Sequence, residues 1–312
     1  MKFYLKKSLD FITTLFLISL LTFGVFQLLP GNPALAILGP EADSTQIKAL
    51  EEKMGLDKPI AQRYFSWVVG AFHGDLGKSY QYDQSVSKLI GGSFSVTLSL
   101  AIVTLIFTLF IGFFFGFFYA YIWHSKFFKP LMNLHQVWFS IPSFCSALLL
   151  ILIFSVKLGL FPAMGYVPLS QGFFPWLYSL TLPAFSLALG SGAILARYTT
   201  SSILNQFRQD YVRTAKSKGL SQWQVITRHI LRNALLPSVT TLGLIMTEIL
   251  GGSIIIENVF SLPGIGRLIA TSIQTRDFPL IQGLVLYLAL ITLICNFLVD
   301  MIYTFIDPRI RK

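Results

Sequence analysis

The sequence predicts an all-α, polytopic membrane protein with six transmembrane helices, and three features of its composition support this fold class. Hydrophobic residues make up 54% of the 312 residues and charged residues only 12%, whereas charged residues are about 25% of a typical soluble domain. The mean hydropathy is +0.67. The apolar residues are also gathered into runs long enough to cross a bilayer as helices, which takes about 20 residues.

The first apolar run follows a basic N-terminus and is predicted to be a retained transmembrane helix. A signal peptide is the alternative, because Ala34 and Ala36 offer a small-residue cleavage site. The run is, however, longer than the apolar core of about 7 to 15 residues that signal peptides have. The six predicted spans are Phe11–Leu29, Phe94–Trp123, Met132–Val156, Trp176–Ala196, Pro237–Ile256 and Leu280–Ile306.

Proline and glycine mark special points within these spans. Pro142 interrupts the third span, and Pro183 lies inside the fourth. Gly112 and Gly116 are four residues apart in the second span. This spacing of small residues allows two helices to approach closely, so we expect a close helix contact there.

The basic residues predict that both termini are cytoplasmic. The net charge of +10 raises the possibility of nucleic-acid binding, but the basic residues lie at the ends of apolar runs and form no continuous face. Lys and Arg instead follow the positive-inside rule. The predicted organisation comprises an N-terminal cytoplasmic end with the first helix (1–30), an extracytoplasmic segment (31–92), a domain of five helices (93–306) and a cytoplasmic tail (307–312).

A polar, basic segment between the fourth and fifth spans, residues 198–236, is predicted to be a cytoplasmic elbow of two short helices. Val212, Ala215 and Leu220 can share an apolar side while the basic residues remain in water. Gly219 is suited to end the first helix in a left-handed conformation. Trp223 and the apolar residues after it supply one face of the second helix. Such an amphipathic elbow can dock a soluble partner.

The chain shows no convincing nucleotide or metal site. Residues Gly74–Ser79 (GDLGKS) resemble a phosphate loop, but Phe72 stands where that loop requires Gly, and no suitable helix is predicted to follow. The four histidines are too scattered for a metal cluster. Cys145 and Cys295 lie in apolar runs and are expected to pack. We therefore expect no bound cofactor.

Several separate stretches resemble the type I permease subunits of binding-protein-dependent ABC importers, in the oligopeptide, dipeptide and nickel branch. In the wider class the elbow reads Glu-Ala-Ala, three residues, then Gly. Here only Ala215 and Gly219 match that pattern, a departure typical of the branch. The resembling stretches are Leu28–Ala34, Gly74–Ser79, Asp210–Gly219 (DYVRTAKSKG), His229–Pro237 (HILRNALLP), Ile256–Gly266, Arg276–Pro279 and Asp307–Arg311.

The resemblance implies the type I importer permease fold and a transport subunit that is not itself an enzyme. Its expected partners are a second homologous permease subunit, two cytoplasmic ATPase subunits that use ATP and Mg, an extracytoplasmic binding protein and membrane lipid, but no nucleic acid. The implied location is a bacterial plasma membrane. The elbow would be the coupling helix that fits a groove of the ATPase. The expected coupling residues are Asp210, Tyr211, Arg213, Thr214, Ala215, Lys216, Lys218, Gly219 and Leu220.

Polar residues within or beside the later spans are candidates for the transport pathway. An acid such as Glu248 inside a span is costly and often functional, although a structural hydrogen bond is the alternative. Asn296 lies one helical turn before Asp300 and could face the pathway or pack against the other subunit. The expected contacts to an outer gate or the binding protein are Glu257, Asn258, Arg267 and Asp277.

The cargo is the least determined feature. Residues Phe161–Tyr166 and Glu248–Asn258 resemble nickel-type members more than dipeptide-type ones, so nickel or a metal chelate is predicted, with an oligopeptide or dipeptide as the alternative. A gradient-driven secondary transporter would show an internal repeat and broken midplane helices. A membrane-embedded enzyme would show a nucleophile, base or metal set. The sequence shows neither pattern.

Overall fold

The structure is a computed structural model that describes residues 2–28, 34, 38, 39 and 42–306. Within these ranges every named element is helical, and the one β-bridge joins Lys78 to Ser85. The all-α prediction is therefore confirmed. The predicted tail 307–312 and most of the motif that follows the first helix lie outside the described residues.

Twelve α-helices follow one another along the described chain. A π-helical turn, Ile151–Lys157, extends α6, and a second, Ile226–Ile230, joins α9 to α10. The helices are α1 Lys2–Leu28, α2 Ser44–Met54, α3 Ile60–Phe72, α4 Val86–Tyr121, α5 Phe128–Ser140, α6 Ser143–Leu150, α7 Phe173–Gln206, α8 Asp210–Ser217, α9 Gln222–Val225, α10 Leu231–Val259, α11 Ile265–Gln274 and α12 Phe278–Ile306.

Five helices of the described chain are long and apolar enough to cross a membrane, rather than the predicted six. They lie in α1, α4, α7, α10 and α12. The predicted third span is instead divided into α5 and the shorter apolar helix Ser143–Lys157. Pro142 adopts an extended conformation with ψ 142° at this break. Proline lacks the N–H of a helical hydrogen bond and disfavours helix at the preceding residue, which explains the division.

The chain divides into two compact units, and the first comprises the described part of residues 1–96 together with Gly264–Ile294. Its core joins the start of α4 to α11 and α12 through Val86, Ile90, Ile265, Leu280 and Leu284. In the same unit α3 packs on α1, where the Tyr64 hydroxyl lies 2.9 Å from Ser19 Oγ.

The second unit comprises Thr97–Pro263 and the residues from Cys295 onward. Helix α7 lies at its centre and packs against α5, α6 and α10. Helix α4 crosses α7 closely, because a Cβ placed on Gly112 would lie 2.5 Å from Leu195 Cδ2 and one on Gly116 would lie 2.7 Å from Thr199 Cβ. The predicted close contact at these two glycines is thus confirmed, with α7 as the partner helix.

Candidate functional site

The elbow between α7 and α10 is anchored to the second unit by its apolar side. Val212 and Ala215 of α8 are buried and belong to one cluster with Val225, Ile226 and Ile230. The same cluster includes Ala120 from α4 and Ile203 from α7. The apolar side predicted for α8 is confirmed, and it fixes α8 and α9 to two membrane-spanning helices.

The end of α8 has the geometry predicted for Gly219. This residue has φ +80°. The Leu220 N–H donates to the Ala215 carbonyl at 3.4 Å, and the Lys218 N–H donates to the Thr214 carbonyl at 3.2 Å. The first of these is the 6→1 bond of a Schellman motif, with Gly219 at the left-handed position, and the second is the last i→i−4 bond of the helix. A Cβ on Gly219 would meet no heavy atom within 4 Å, so the position requires a left-handed backbone conformation rather than space.

A capping box, which was not among the features predicted from the sequence, begins the second helix of the elbow. The Ser221 N–H donates to Gln224 Oε1 at 3.0 Å, and the Gln224 N–H donates to Ser221 Oγ at 3.3 Å. The signal was present in the sequence, since Ser-x-x-Gln before an apolar run is a recognised start of a helix. Together with Gly219, the box sets the direction in which α9 leaves α8.

The outer side of the elbow is polar and aromatic. Tyr211 is 37% exposed and Trp223 is 58% exposed. The Tyr211 hydroxyl donates to Gln206 Oε1 at 2.7 Å, which holds the ring against the end of α7. Tyr, Trp and Arg are the residues enriched at the energetic centres of protein interfaces. The predicted coupling residues Asp210, Arg213, Thr214, Lys218 and Gly219 are exposed as well, whereas Ala215 is buried, Leu220 is half-buried and the Lys216 side chain lies outside the described atoms.

Glu248 lines a cavity of about 280 Å³ within the second unit. Its side chain is exposed in the single subunit. Helix α7 contributes Gly190 and Ser191 to the lining, and the break at Pro142 contributes the hydroxyl-bearing Ser140 and Ser143. The proline that divides the predicted third span therefore also shapes the cavity in front of this carboxylate.

Asn296, the other predicted pathway residue, is not among the residues that line the Glu248 cavity. Its Oδ1 accepts a hydrogen bond from Thr247 Oγ1 at 3.3 Å, which joins α12 to α10. Asn296 therefore contacts the residue before Glu248 but does not line the same cavity.

The predicted outer-end residues of the second unit differ in accessibility. Glu257 is fully buried and accepts a hydrogen bond from Thr97 Oγ1 at 2.7 Å. Asn258 is exposed, and its Nδ2 donates to the Ile254 carbonyl at 2.7 Å. Of this pair only Asn258 offers surface to a partner.

In the first unit, Arg267 is exposed, but Asp277 is buried, and its carboxylate accepts three hydrogen bonds. Its Oδ2 accepts from Ser79 Oγ at 2.5 Å and from the Gln81 N–H at 3.1 Å. Its Oδ1 accepts from the Leu280 N–H at 3.3 Å in the first turn of α12. Asp277 therefore ties the segment around Ser79–Gln81 to α12, a contact that no local sequence pattern could reveal.

Tyr80 lies in the same segment and is affected by its surroundings. Burial, together with the negative charge of Asp277, raises the pKa of Tyr80 to about 12, although Arg63 acts in the opposite direction. The phenol therefore stays neutral up to a higher pH than an unperturbed tyrosine does.

The potential metal ligands of the described ranges do not converge. No group of three or more His, Cys, Asp or Glu side chains in those ranges is placed to hold a metal ion. Cys145 and Cys295 are free thiols.

Two family models together match almost the whole chain. Residues 112–312 match the binding-protein-dependent transport system inner membrane component. Residues 1–101 match the N-terminal region of the membrane component of the same class of transport system. The match includes the elbow, α7 and α10, which are the elements that carry the exposed elbow surface and the Glu248 cavity.

Similar proteins agree with the family match. A protein of Brucella abortus (strain 2308), provisionally named a peptide transport system permease protein, is 41% identical over 307 residues, with 98% of each chain covered. The glutathione transport system permease protein GsiC of Escherichia coli (strain K12) is 36% identical over 312 residues, covering 100% of this chain and 99% of its own.

Among solved structures, an inward-facing MetNI methionine ABC transporter matches with a TM-score of 0.58 at 16% identity, over 70% of this chain and 96% of the transporter chain. A second crystal form of the same transporter gives a TM-score of 0.59. At this identity the likeness shows the fold, which is that of a type I ABC importer permease. The chain belongs to the family of inner membrane components of binding-protein-dependent transport systems.

Proposed function

We propose that this permease forms half of the translocation pathway of an ATP-driven importer whose cargo is a short peptide. The family match supports the importer role. The names of the relatives from Brucella abortus and Escherichia coli, which refer to peptide and glutathione transport, support the cargo.

The cargo proposal departs from the nickel or metal-chelate prediction made from the sequence. That prediction depended on two short segments, whereas the two relatives are similar along the full chain and neither of them is named for metal transport. The comparisons therefore favour the peptide alternative. The Glu248 cavity is compatible with it, since a carboxylate with nearby hydroxyl groups can accept hydrogen bonds from a peptide ammonium group.

The elbow is the part through which the proposed ATPase partners would act. Its buried side forms one apolar cluster with α4 and α7, so a displacement of α8 would be transmitted to both spans. Its exposed side presents Tyr211, Trp223 and Arg213. In this proposal both termini and the elbow are cytoplasmic, and the partners are a second permease subunit, two ATPase subunits and an external binding protein.

The elbow has an apolar side anchored to the membrane helices and an exposed polar and aromatic side, and this division is the main support for its proposed role in docking the ATPase. Arg213→Glu should reduce the affinity for the ATPase by at least about tenfold, since charge reversal at an interface costs both attraction and correct docking. The matched control is Lys126→Glu, an exposed basic residue in the loop between α4 and α5.

Association is measured with the reconstituted permease pair and the purified ATPase. Both variants should insert normally and give the same thermal unfolding midpoint as the unmodified complex. Equal ATPase affinity for the Arg213→Glu and Lys126→Glu variants would contradict the docking role of the elbow.

A further inference from the structure

Two cavities of the second unit lie in succession between α5 and α7. The first contains Glu248 and includes Ser140 of α5 and Ser191 of α7. The second has a volume of about 250 Å³ and contains Arg197. Its other lining residues are Met132, His135, Gln136, Ala193, Ile194 and Tyr198. Helices α5 and α7 contribute to both cavities; the acid of the first is supplied by Glu248 of α10, and the base of the second by Arg197, further along α7.

Both charges are unpaired in the described part of the chain. Glu248 and Arg197 are exposed in the single subunit, and neither side chain has a hydrogen-bond or ion-pair partner among the described residues. Both also lie in helices long and apolar enough to span a membrane. Because an unpaired acid inside a membrane span is costly, Glu248 calls for a cationic partner. Arg197 directly follows the predicted fourth span and presents an exposed guanidinium to the second cavity.

The spacing of the two cavities suits a short peptide. Ser191 lines the first cavity and Arg197 lines the second, six positions further along α7. At a rise of about 1.5 Å per residue this is about 9 Å along the helix axis. A fully extended peptide covers at most about 3.3–3.6 Å per residue, so a tripeptide reaches about 10 Å. The two cavities, each marked by one of its lining residues on α7, are thus separated along this helix by about the length of a peptide of two to four residues.

We propose that these cavities form one binding site for a short zwitterionic peptide, with its ammonium group at Glu248 and its carboxylate at Arg197. A guanidinium can bind a carboxylate through two parallel hydrogen bonds. Gln136 of α5 supplies an additional amide donor in the Arg197 cavity. This inference rests on the proposed peptide import and adds to it a recognition of both free termini and of peptide length.

The alternative partner for these two charged side chains is the second permease subunit. Its side chains could pair with Glu248 and Arg197 across the subunit interface, in which case the charges would hold the complex together. Blocking one end of the peptide separates the two cases, since a subunit contact is indifferent to the chemistry of the peptide ends.

The test measures uptake by the complete complex in proteoliposomes. A tripeptide with free ends, its N-acetylated form and its C-amidated form are each supplied at a concentration that saturates the binding protein. Glu248→Gln should lower the turnover of the free tripeptide about tenfold, in line with the loss of a hydrogen bond to a charged group. It should leave the N-acetylated peptide unchanged. Arg197→Gln should likewise lower the turnover of the free tripeptide about tenfold, and it should leave that of the C-amidated peptide unchanged.

A matched control is Lys126→Gln, which removes an exposed charge outside both cavities and should change no uptake. If Glu248→Gln lowers the uptake of free and N-acetylated peptide by the same factor, Glu248 does not bind the ammonium group and the site is refuted, while peptide import stands. If the unmodified complex imports no peptide at all, the proposed function itself fails.

A second measurement is independent of loading by the binding protein. Tripeptides with a photoreactive residue at either end are crosslinked to the permease–ATPase complex, and the labelled segments are identified by mass spectrometry. The C-terminal probe should label the lining of the Arg197 cavity and the N-terminal probe that of the Glu248 cavity. Reversed labelling, or labelling of neither cavity, would overturn the proposal.

Discussion

At Gly219 a single residue sets the geometry of the elbow. Its φ of +80° lies in the left-handed region, and no neighbouring atom would obstruct a side chain. An L-residue with a Cβ pays about 1–2 kcal/mol in this conformation, whereas Asn tolerates it better than most residues. The effect of a substitution should therefore depend on backbone preference and not on side-chain size.

We predict that Gly219→Val reduces substrate-stimulated ATPase activity about tenfold and that Gly219→Asn reduces it much less. A strain of about 1.4 kcal/mol corresponds to a tenfold change in an equilibrium, here between the docked and a displaced end of α8. The measurement is ATP hydrolysis by the reconstituted complex. Similar activity of the two variants would show that left-handed geometry at Gly219 does not govern coupling.

Asp277 is the residue whose hydrogen bonds join two distant parts of the first unit. We predict that Asp277→Asn lowers the stability of the protein by about 1–3 kcal/mol, because one carboxylate oxygen is replaced by a donor that faces another donor. The matched control is Asp83→Asn. Asp83 pairs with Lys78 at 2.6 Å, but its side chain is 88% exposed, and exposed ion pairs contribute about 0–1 kcal/mol.

Thermal unfolding in detergent checks this prediction, with a clearly lower midpoint expected for Asp277→Asn alone. An equal shift for both variants would mean that the hydrogen bonds of Asp277 add nothing beyond those of a surface acid.

At the scale of elements, the crossing of α4 and α7 is a tightly constrained helix contact. A Cβ on Gly116 would lie 2.7 Å from both Cβ and Cγ2 of Thr199. We predict that Gly116→Ala destabilises the fold by about 1–3 kcal/mol, the range for overpacking a well-packed core. Gly91→Ala in the same helix meets no atom within 4 Å and should be neutral or slightly stabilising.

The comparison of these two variants in an unfolding experiment isolates the contact from helix propensity, since both replace Gly by Ala within α4. If Gly116→Ala were as stable as Gly91→Ala, the close approach of α4 and α7 would not exist in the folded protein.

The sequence predicted those elements whose signals are local. The all-α class, the close contact at Gly112 and Gly116, the break at Pro142 and the left-handed turn at Gly219 depend on hydropathy, spacing or backbone chemistry. Prediction from the sequence fails where one segment combines two competing signals, here hydropathy and a proline. The run Met132–Val156 is apolar enough for one span, yet the proline outweighs hydropathy and produces two helices.

Contacts between distant residues could not be predicted in the same way. Ser79 and Asp277 are 198 positions apart, and neither carries a local pattern that names its partner. Likewise, Glu248 was identified as a costly membrane acid, but the sequence did not show that Arg197 lines a second cavity to which α5 and α7 also contribute. Such contacts and cavities arise only when the helices pack in the folded protein.

At the scale of the whole molecule, cargo identity depends on a few side chains spread over several helices. The segments that suggested nickel are short, and some of their residues are buried in the fold. Glu257, for example, lies within one of them and is buried against Thr97. Resemblance in such segments therefore reflects shared architecture more than shared cargo, which explains why the full-length relatives are the better guide to the peptide proposal.

The central claim is that this permease couples peptide import to ATP hydrolysis by partner subunits. The most direct test is ATPase activity of the reconstituted complex with its binding protein, in the presence of short peptides, nickel or a nickel chelate. We expect stimulation by peptides and none by nickel or its chelate. Stimulation by the metal or chelate alone would contradict the peptide proposal, and the absence of any ATPase association would contradict the role assigned to the elbow.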